Sequence, residues 1–125
     1  MMAANEFMGD IDIPTIPASP SSILLPTVAR NYELKSSHLN MLPSFYGLPN
    51  EDPLIHIKDI FNVVSSFLLT GVTTNQLQMR VFPYTLKDTA KYWLNYLKPG
   101  SLTRWAAIQK KFFEKYLSTQ KKGHA

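Results

Sequence analysis

The chain of 125 residues contains no cysteine. Disulfides, thiol catalysis and cysteine-based zinc knuckles are therefore excluded, and the composition fits a reducing compartment. Long apolar runs are missing too. The most apolar segment, IFNVVSSFLLTGV, is broken by Asn62, Ser65 and Ser66 and is too short to span a bilayer. The opening MMAANEFMGDIDIP has no basic region leading into an apolar stretch, so no signal peptide is expected. The expectation is an intracellular, cytoplasmic protein with no membrane partner; the nucleus is left open.

Catalytic signatures are equally scarce. There is no Gly-x-Ser-x-Gly, no Walker loop and no His-Glu-x-x-His. The Asp-Ser/Thr-Gly signature of an aspartic protease is absent, because Ala90 follows Asp88-Thr89. No nucleophile, base and oxyanion donor converge in the pattern, so neither an enzyme, nor a cofactor, nor a small-molecule substrate is expected. His56 is the one histidine near carboxylates, with Asp52 four residues before it and Asp59 three after. A metal or acid–base site on that helix face is the sharper reading. The plainer one makes Asp52 a cap, Asp59 a surface acid and His56 an exposed helix residue, and it is preferred because no further ligand is in view. His38 and His124 fall in peripheral segments without evident partners.

What is present is proline, aromatic rings and an uneven charge. Seven of the nine prolines fall in the first 53 residues. Pro14, Pro17 and Pro20 recur at every third position, which favours an extended, polyproline-like path. Residues 1–31 therefore read as an extended N-terminal arm, though Ile11, Ile13, Ile16, Ile23, Leu24, Leu25 and Val28 make it too apolar for a spacer. Met1–Asp52 holds two basic residues against six acidic ones, a net −4. Pro53–Ala125 holds eleven against three, a net +8. A basic half can meet nucleic acid, or be no more than a solvated lysine-rich helix surface. Lys110, Lys111, Lys115, Lys121 and Lys122 are the candidate RNA contacts.

The remainder is helical by pattern. SSHLNML forms a short helix capped by Ser36 or Ser37 and ended by Pro43; FYGLPNEDP then reads as a turn. Asp52-Pro53 is an N-cap followed by proline at the first helical position, where the missing N–H costs nothing. Leu54, Ile57, Phe61, Val64 and Leu68 then form an apolar stripe, widened by Ile60 and Phe67 and closed by Gly71. A second helix opens at Thr73, whose spacing to Gln76 fits a capping box, with Thr74 or Asn75 as alternative caps; Pro83 stops it. Thr85 caps a third helix with Leu86, Ala90, Trp93, Leu94 and Leu97 on one face, ended by Pro99-Gly100. A fourth starts at Ser101 or Thr103 and carries Trp105, Ile108, Phe112 and Tyr116, flanked by Phe113 and Leu117.

The predicted architecture is all-α: a compact bundle of four to five short helices over residues 32–118, an extended proline-rich N-terminal arm, and a basic flexible tail at 119–125. The rings of Trp93, Trp105, Phe112 and Tyr116 suit a ligand cage or a base-stacking platform, but their helical spacing with leucine and isoleucine is that of a core. Burying one such side chain contributes roughly 1.5–3 kcal/mol.

Four segments in order carry a family resemblance. FYGLPNEDPLIHI (Phe45–Ile57), the Gly71-Val72 pair, VFPYTLKDTAKYWLNYL (Val81–Leu97) and SLTRWAAIQKKFFEKY (Ser101–Tyr116) together resemble the Gag domain of plant long-terminal-repeat retrotransposons of the gypsy class. NYELKSSHLNML is similar to the segment usually found just upstream. The resemblance spans about Asn31 to Tyr116. It implies a capsid-like, non-enzymatic helical domain that self-associates around element RNA, as a homo-oligomer. On the matching positions, the implied structural residues are Phe45, Gly47, Asp52, Pro53, Phe82, Pro83, Leu86, Ala90, Trp93, Leu94, Leu97, Trp105, Phe112, Phe113 and Tyr116. Such domains continue past the last motif with more helices and often a zinc knuckle. The expectation is thus a truncated Gag domain, with a basic, non-catalytic RNA-binding module as the alternative.

Overall fold

The computed structural model describes the backbone of residues 21–124 and the side chains of residues 21–117. Among the described residues six α-helices follow one another: α1 Thr27–Arg30, α2 Ser36–Met41, α3 Pro53–Val64, α4 Thr74–Thr85, α5 Asp88–Tyr96 and α6 Trp105–His124. The described part is all-α, with two isolated parallel bridges, Ile23 to Leu102 and Phe45 to Leu86, as its extended pairing. Helices α3, α4 and α6 pack on one another, and α1 packs on α4.

The helix starts are written locally. Asp52 Oδ1 accepts from Leu54 N at 2.9 Å, and Pro53 occupies the first turn of α3. Thr73 is the cap of α4: its Oγ1 accepts from Gln76 N at 3.1 Å, and Gln76 Oε1 accepts from Thr73 N at 3.1 Å. For α2, neither Ser36 nor Ser37 is the cap. Lys35 holds that position, and its N–H donates to His38 Nδ1 at 3.1 Å.

Several ends differ from the sequence pattern. Helix α3 stops at Val64, well before Gly71. Ser65 Oγ donates back to Phe61 O and Ser66 Oγ to Val63 O, both at 2.7 Å, so two serine hydroxyls occupy the carbonyls of the last turn where the backbone turns away. Pro83 does not stop α4, which runs two residues further to Thr85; in the last turn a proline forfeits one backbone bond. Thr85 is therefore the end of α4 and not the cap of α5, whose N-cap is Lys87. Between them, Leu86 is extended and Phe45 is laced to both sides of it: Phe45 N donates to Thr85 O at 2.8 Å, and Lys87 N donates to Phe45 O at 2.9 Å. Helix α6 begins at Trp105, not at Ser101 or Thr103. Its helical backbone runs on to His124, into the stretch 119–125 expected as a basic flexible tail.

The described part of the arm lies on the bundle. Leu102 N donates to Ser22 O at 2.9 Å and Leu24 N to Leu102 O at 2.8 Å, which buries Ile23. Ala29, in the single turn of α1, is fully buried. Residues Met1–Pro20 lie outside the described residues.

At the centre sits an aromatic cluster. Phe112 meets Phe45 at 5.0 Å between ring centroids, Phe82 at 5.5 Å, Tyr116 at 5.4 Å and Trp93 at 6.0 Å. Trp105 stacks edge-on to Phe82 at 5.7 Å. Offset and edge-on ring pairs of this kind add about 0.5–1.5 kcal/mol beyond area burial.

Candidate interaction surfaces

The fifteen motif residues of the sequence analysis divide into two groups. Phe45, Pro53, Phe82, Leu86, Ala90, Leu94, Trp105, Phe112 and Tyr116 are buried. Gly47, Asp52, Pro83, Trp93, Leu97 and Phe113 are half-buried. The large rings pack on one another instead of lining an empty cage.

The loop Phe45–Asp52 explains its own residue choices. Glu51 Oε1 accepts from Tyr46 N at 3.0 Å, Gly47 N at 2.8 Å and Leu48 N at 2.8 Å, so one carboxylate gathers three consecutive amides. Gly47 adopts φ 89°, and a Cβ there would come within 2.8 Å of Thr89 Oγ1 and 3.2 Å of the Tyr116 ring. Only glycine fits such a position without displacement. Thr89 Oγ1 donates to Tyr46 O at 2.9 Å, tying the loop to α5. Burial, and secondarily the charge of Glu51, push the Tyr116 hydroxyl above the usual tyrosine range.

His56 is a correction. It is buried, not exposed, and does not join Asp52 and Asp59 in a site; among the described residues no group of three histidine, cysteine or acidic side chains is placed to hold a metal. His56 Nε2 lies 2.9 Å from Thr85 Oγ1, and that hydroxyl donates to Phe82 O at 2.7 Å. The hydroxyl proton is thereby committed, so Thr85 accepts and His56 carries its proton on Nε2. Phe45 and Phe112 lie 5.2 and 5.9 Å from its ring. Burial lowers its pKa from 6.5 to about 4, against a smaller opposing pull from Glu51. It is a neutral strut joining α3 to the end of α4. The sequence signal that finds it is positional: Pro53, His56, Ile60 and Val64 are spaced by three and four.

That same spacing overturns the expected stripe of α3. Pro53, His56, Ile60 and Val64 face the core, with Phe67 just beyond the helix. Leu54, Phe61 and Leu68, predicted to be buried, are 51%, 50% and 74% exposed, and Ile55 is 54% exposed. Leu54, Ile55 and Phe61 border a groove of about 700 Å³ between α3, α4 and α6, where Ile57, Trp105 and Phe113 contribute apolar walls and Lys58 the charged group. A second apolar area lies on α5, where Tyr92 and Tyr96 are exposed beside half-buried Trp93.

The candidate RNA contacts all lie on α6. Lys110, Lys111 and Lys115 are exposed, and Lys110 Nζ pairs with Glu114 Oε2 at 3.1 Å. The side chains of Lys121 and Lys122 lie outside the described residues. No described helix is long and apolar enough to cross a membrane.

No family model matches the chain, and no curated protein or solved structure matches it.

Proposed function

We propose that this chain is a non-catalytic, Gag-like capsid domain of a long-terminal-repeat retrotransposon, which acts by burying apolar helix surface between copies of itself. The observation that carries the self-association is the outward face of α3. Leu54, Ile55 and Phe61 are about half exposed beside the Trp105–Phe113 groove. A contiguous apolar area of this kind marks an interaction site. A second copy is the occupant that the charges favour. The groove holds a single charged residue, Lys58, and Asp59 is exposed next to it, so a two-fold arrangement can set each lysine against the other copy's aspartate. The ordered motifs from Phe45 to Tyr116 supply the Gag part of the reading.

RNA binding by the α6 lysines is the second reading, and the exposure of Lys110, Lys111 and Lys115 favours it. The Lys110–Glu114 pair reduces the local positive charge. Light scattering of the RNA-free protein, beside a salt titration of RNA binding, separates the two. Oligomers without RNA support self-association. A monomer that binds RNA tightly and loses it steeply with salt supports the basic module. Turnover of any substrate would overturn both.

A further inference from the structure

A second cavity, of about 510 Å³, opens where the described chain begins. Its walls combine apolar Leu24, Leu25, Met79 and Pro83 with basic Arg30, Arg80 and Lys91. None of these three cations has a carboxylate within ion-pair distance among the described residues. Arg30 Nη2 donates to Thr27 Oγ1 at 3.0 Å, and Arg80 Nη1 to the Tyr84 hydroxyl at 3.3 Å. The Arg80 guanidinium also stands 5.7 Å from the centre of the Tyr84 ring. Its Nε is buried without any hydrogen-bond partner. The site is therefore a cleft that combines unneutralised positive charge with uncovered aliphatic surface, in a size range typical of ligand clefts, about 300–1,000 Å³.

The chain carries a segment of complementary chemistry. Residues 1–20 contain Glu6, Asp10 and Asp12 and no lysine, arginine or histidine. The other 105 residues hold all 13 basic residues against the remaining six acidic ones, a net +7. Within GDIDIPTI, acidic and aliphatic residues alternate. An extended backbone places Asp10 and Asp12 on one edge and Ile11 and Ile13 on the other. Such a ribbon offers carboxylates to the arginines and isoleucines to the leucines.

We infer that this cleft receives the acidic, isoleucine-rich segment Glu6–Ile16 of a second copy of the chain. The inference rests on the self-association reading and specifies one contact within it. The reason for a second copy lies in the anchoring. Ser21 is itself at the cleft, with its carbonyl accepting from Gly100 N at 2.9 Å. Pro14, Pro17 and Pro20 favour an extended, polyproline-like path, and at about 3.1 Å per residue such a path would put Asp12 roughly 25 Å from Pro20. To enter its own cleft the segment must reverse within that proline-rich stretch; to enter a neighbour's it need not.

Charge reversal in the full-length chain tests this. Asp10→Lys with Asp12→Lys, and separately Arg30→Glu with Lys91→Glu, are each expected to weaken self-association about tenfold or more in sedimentation velocity. An equimolar mixture of the two variants is expected to recover association, because lysines on one arm then face glutamates on the other chain's cleft. Carbodiimide cross-linking of mixed light- and heavy-isotope parent protein gives an independent readout: Asp10 or Asp12 should link to Lys91 in mixed-isotope pairs. A parent that associates while both variants match it, with no such link, overturns the inference and leaves self-association standing. Links found only within single copies overturn the second-copy docking. A monomeric parent overturns the self-association reading itself, and the docking with it.

Discussion

Helix α3 has two apolar faces with different fates. The inward face, Pro53, His56, Ile60 and Val64, is buried against α4 and α6. The outward face, Leu54, Ile55 and Phe61, is about half in solvent. By hydrophobicity alone the outward face is the better core, since it has no histidine. The inward face wins because it meets complementary shape and a polar partner. Phe45 and Phe112 close over the His56 ring, and Thr85 accepts its one available proton. Burying a polar group costs little once it is paired, whereas leaving apolar area exposed costs about 25 cal/mol per Å² unless another surface covers it. The inward face thus stabilises the monomer, and the outward face is left half exposed.

The strongest way to break this comparison is to remove Phe112, on which the inward contacts converge. Phe112→Ala is expected to destabilise the fold by about 3–5 kcal/mol and to abolish cooperative unfolding in a urea titration. Trp93→Ala should cost less than Phe112→Ala, because Trp93 is half-buried. Parent-like melting of Phe112→Ala would show that the core has been misplaced.

Acid tests the histidine strut. The folded-state pKa of His56 lies below the unfolded value of 6.5, at about 4. Between these values the unfolded chain binds the extra proton, so stability falls as pH drops from 6.5 towards 4, and His56 contributes a loss of roughly 3 kcal/mol across that window. His56→Gln, which keeps a donor for Thr85 but does not titrate, should flatten this part of the profile. Equal slopes for parent and variant would mean that His56 is not a buried neutral group.

A smaller effect is expected at the loop that covers the cluster. Gly47→Ala puts a Cβ against Thr89 at φ 89° and should cost about 1–3 kcal/mol in thermal unfolding. Removing the cap with Asp52→Ala should cost about 1 kcal/mol.

The smallest stability change is expected on the outward face. Phe61→Ser should alter monomer stability by only about 0.5 kcal/mol. It should nevertheless reduce oligomer mass in light scattering, since its ring borders the groove. If Phe61→Ser leaves the oligomer intact while Phe112→Ala unfolds the chain, α3 is a core helix only, and the contact between copies lies elsewhere.

Local chemistry made much of this fold legible. Thr73 with Gln76 and Asp52 with Pro53 mark the starts of α4 and α3 because each satisfies backbone groups within a few residues of itself. Trp105, Ile108, Phe112 and Tyr116 share a face by helical geometry, and all four are buried. Where the reading failed, the deciding contact came from far along the chain. Thr85 has the chemistry of a cap, yet it ends α4 because His56, 29 residues away, binds its hydroxyl. Leu86 fits a helical pattern, yet the backbone around it pairs with Phe45.

The sequence by itself determined the all-α class of the described part, the caps of α3 and α4 and the aromatic set from which the core is drawn, because caps and periodicity act within one or two turns. Which side of α3 turns inward, and with it the burial of His56 and the exposure of Leu54 and Phe61, was decided only in three dimensions. A helix that is apolar on two sides has no local preference between them. The choice falls to the surfaces that α4, α6 and the Phe45 loop bring against it.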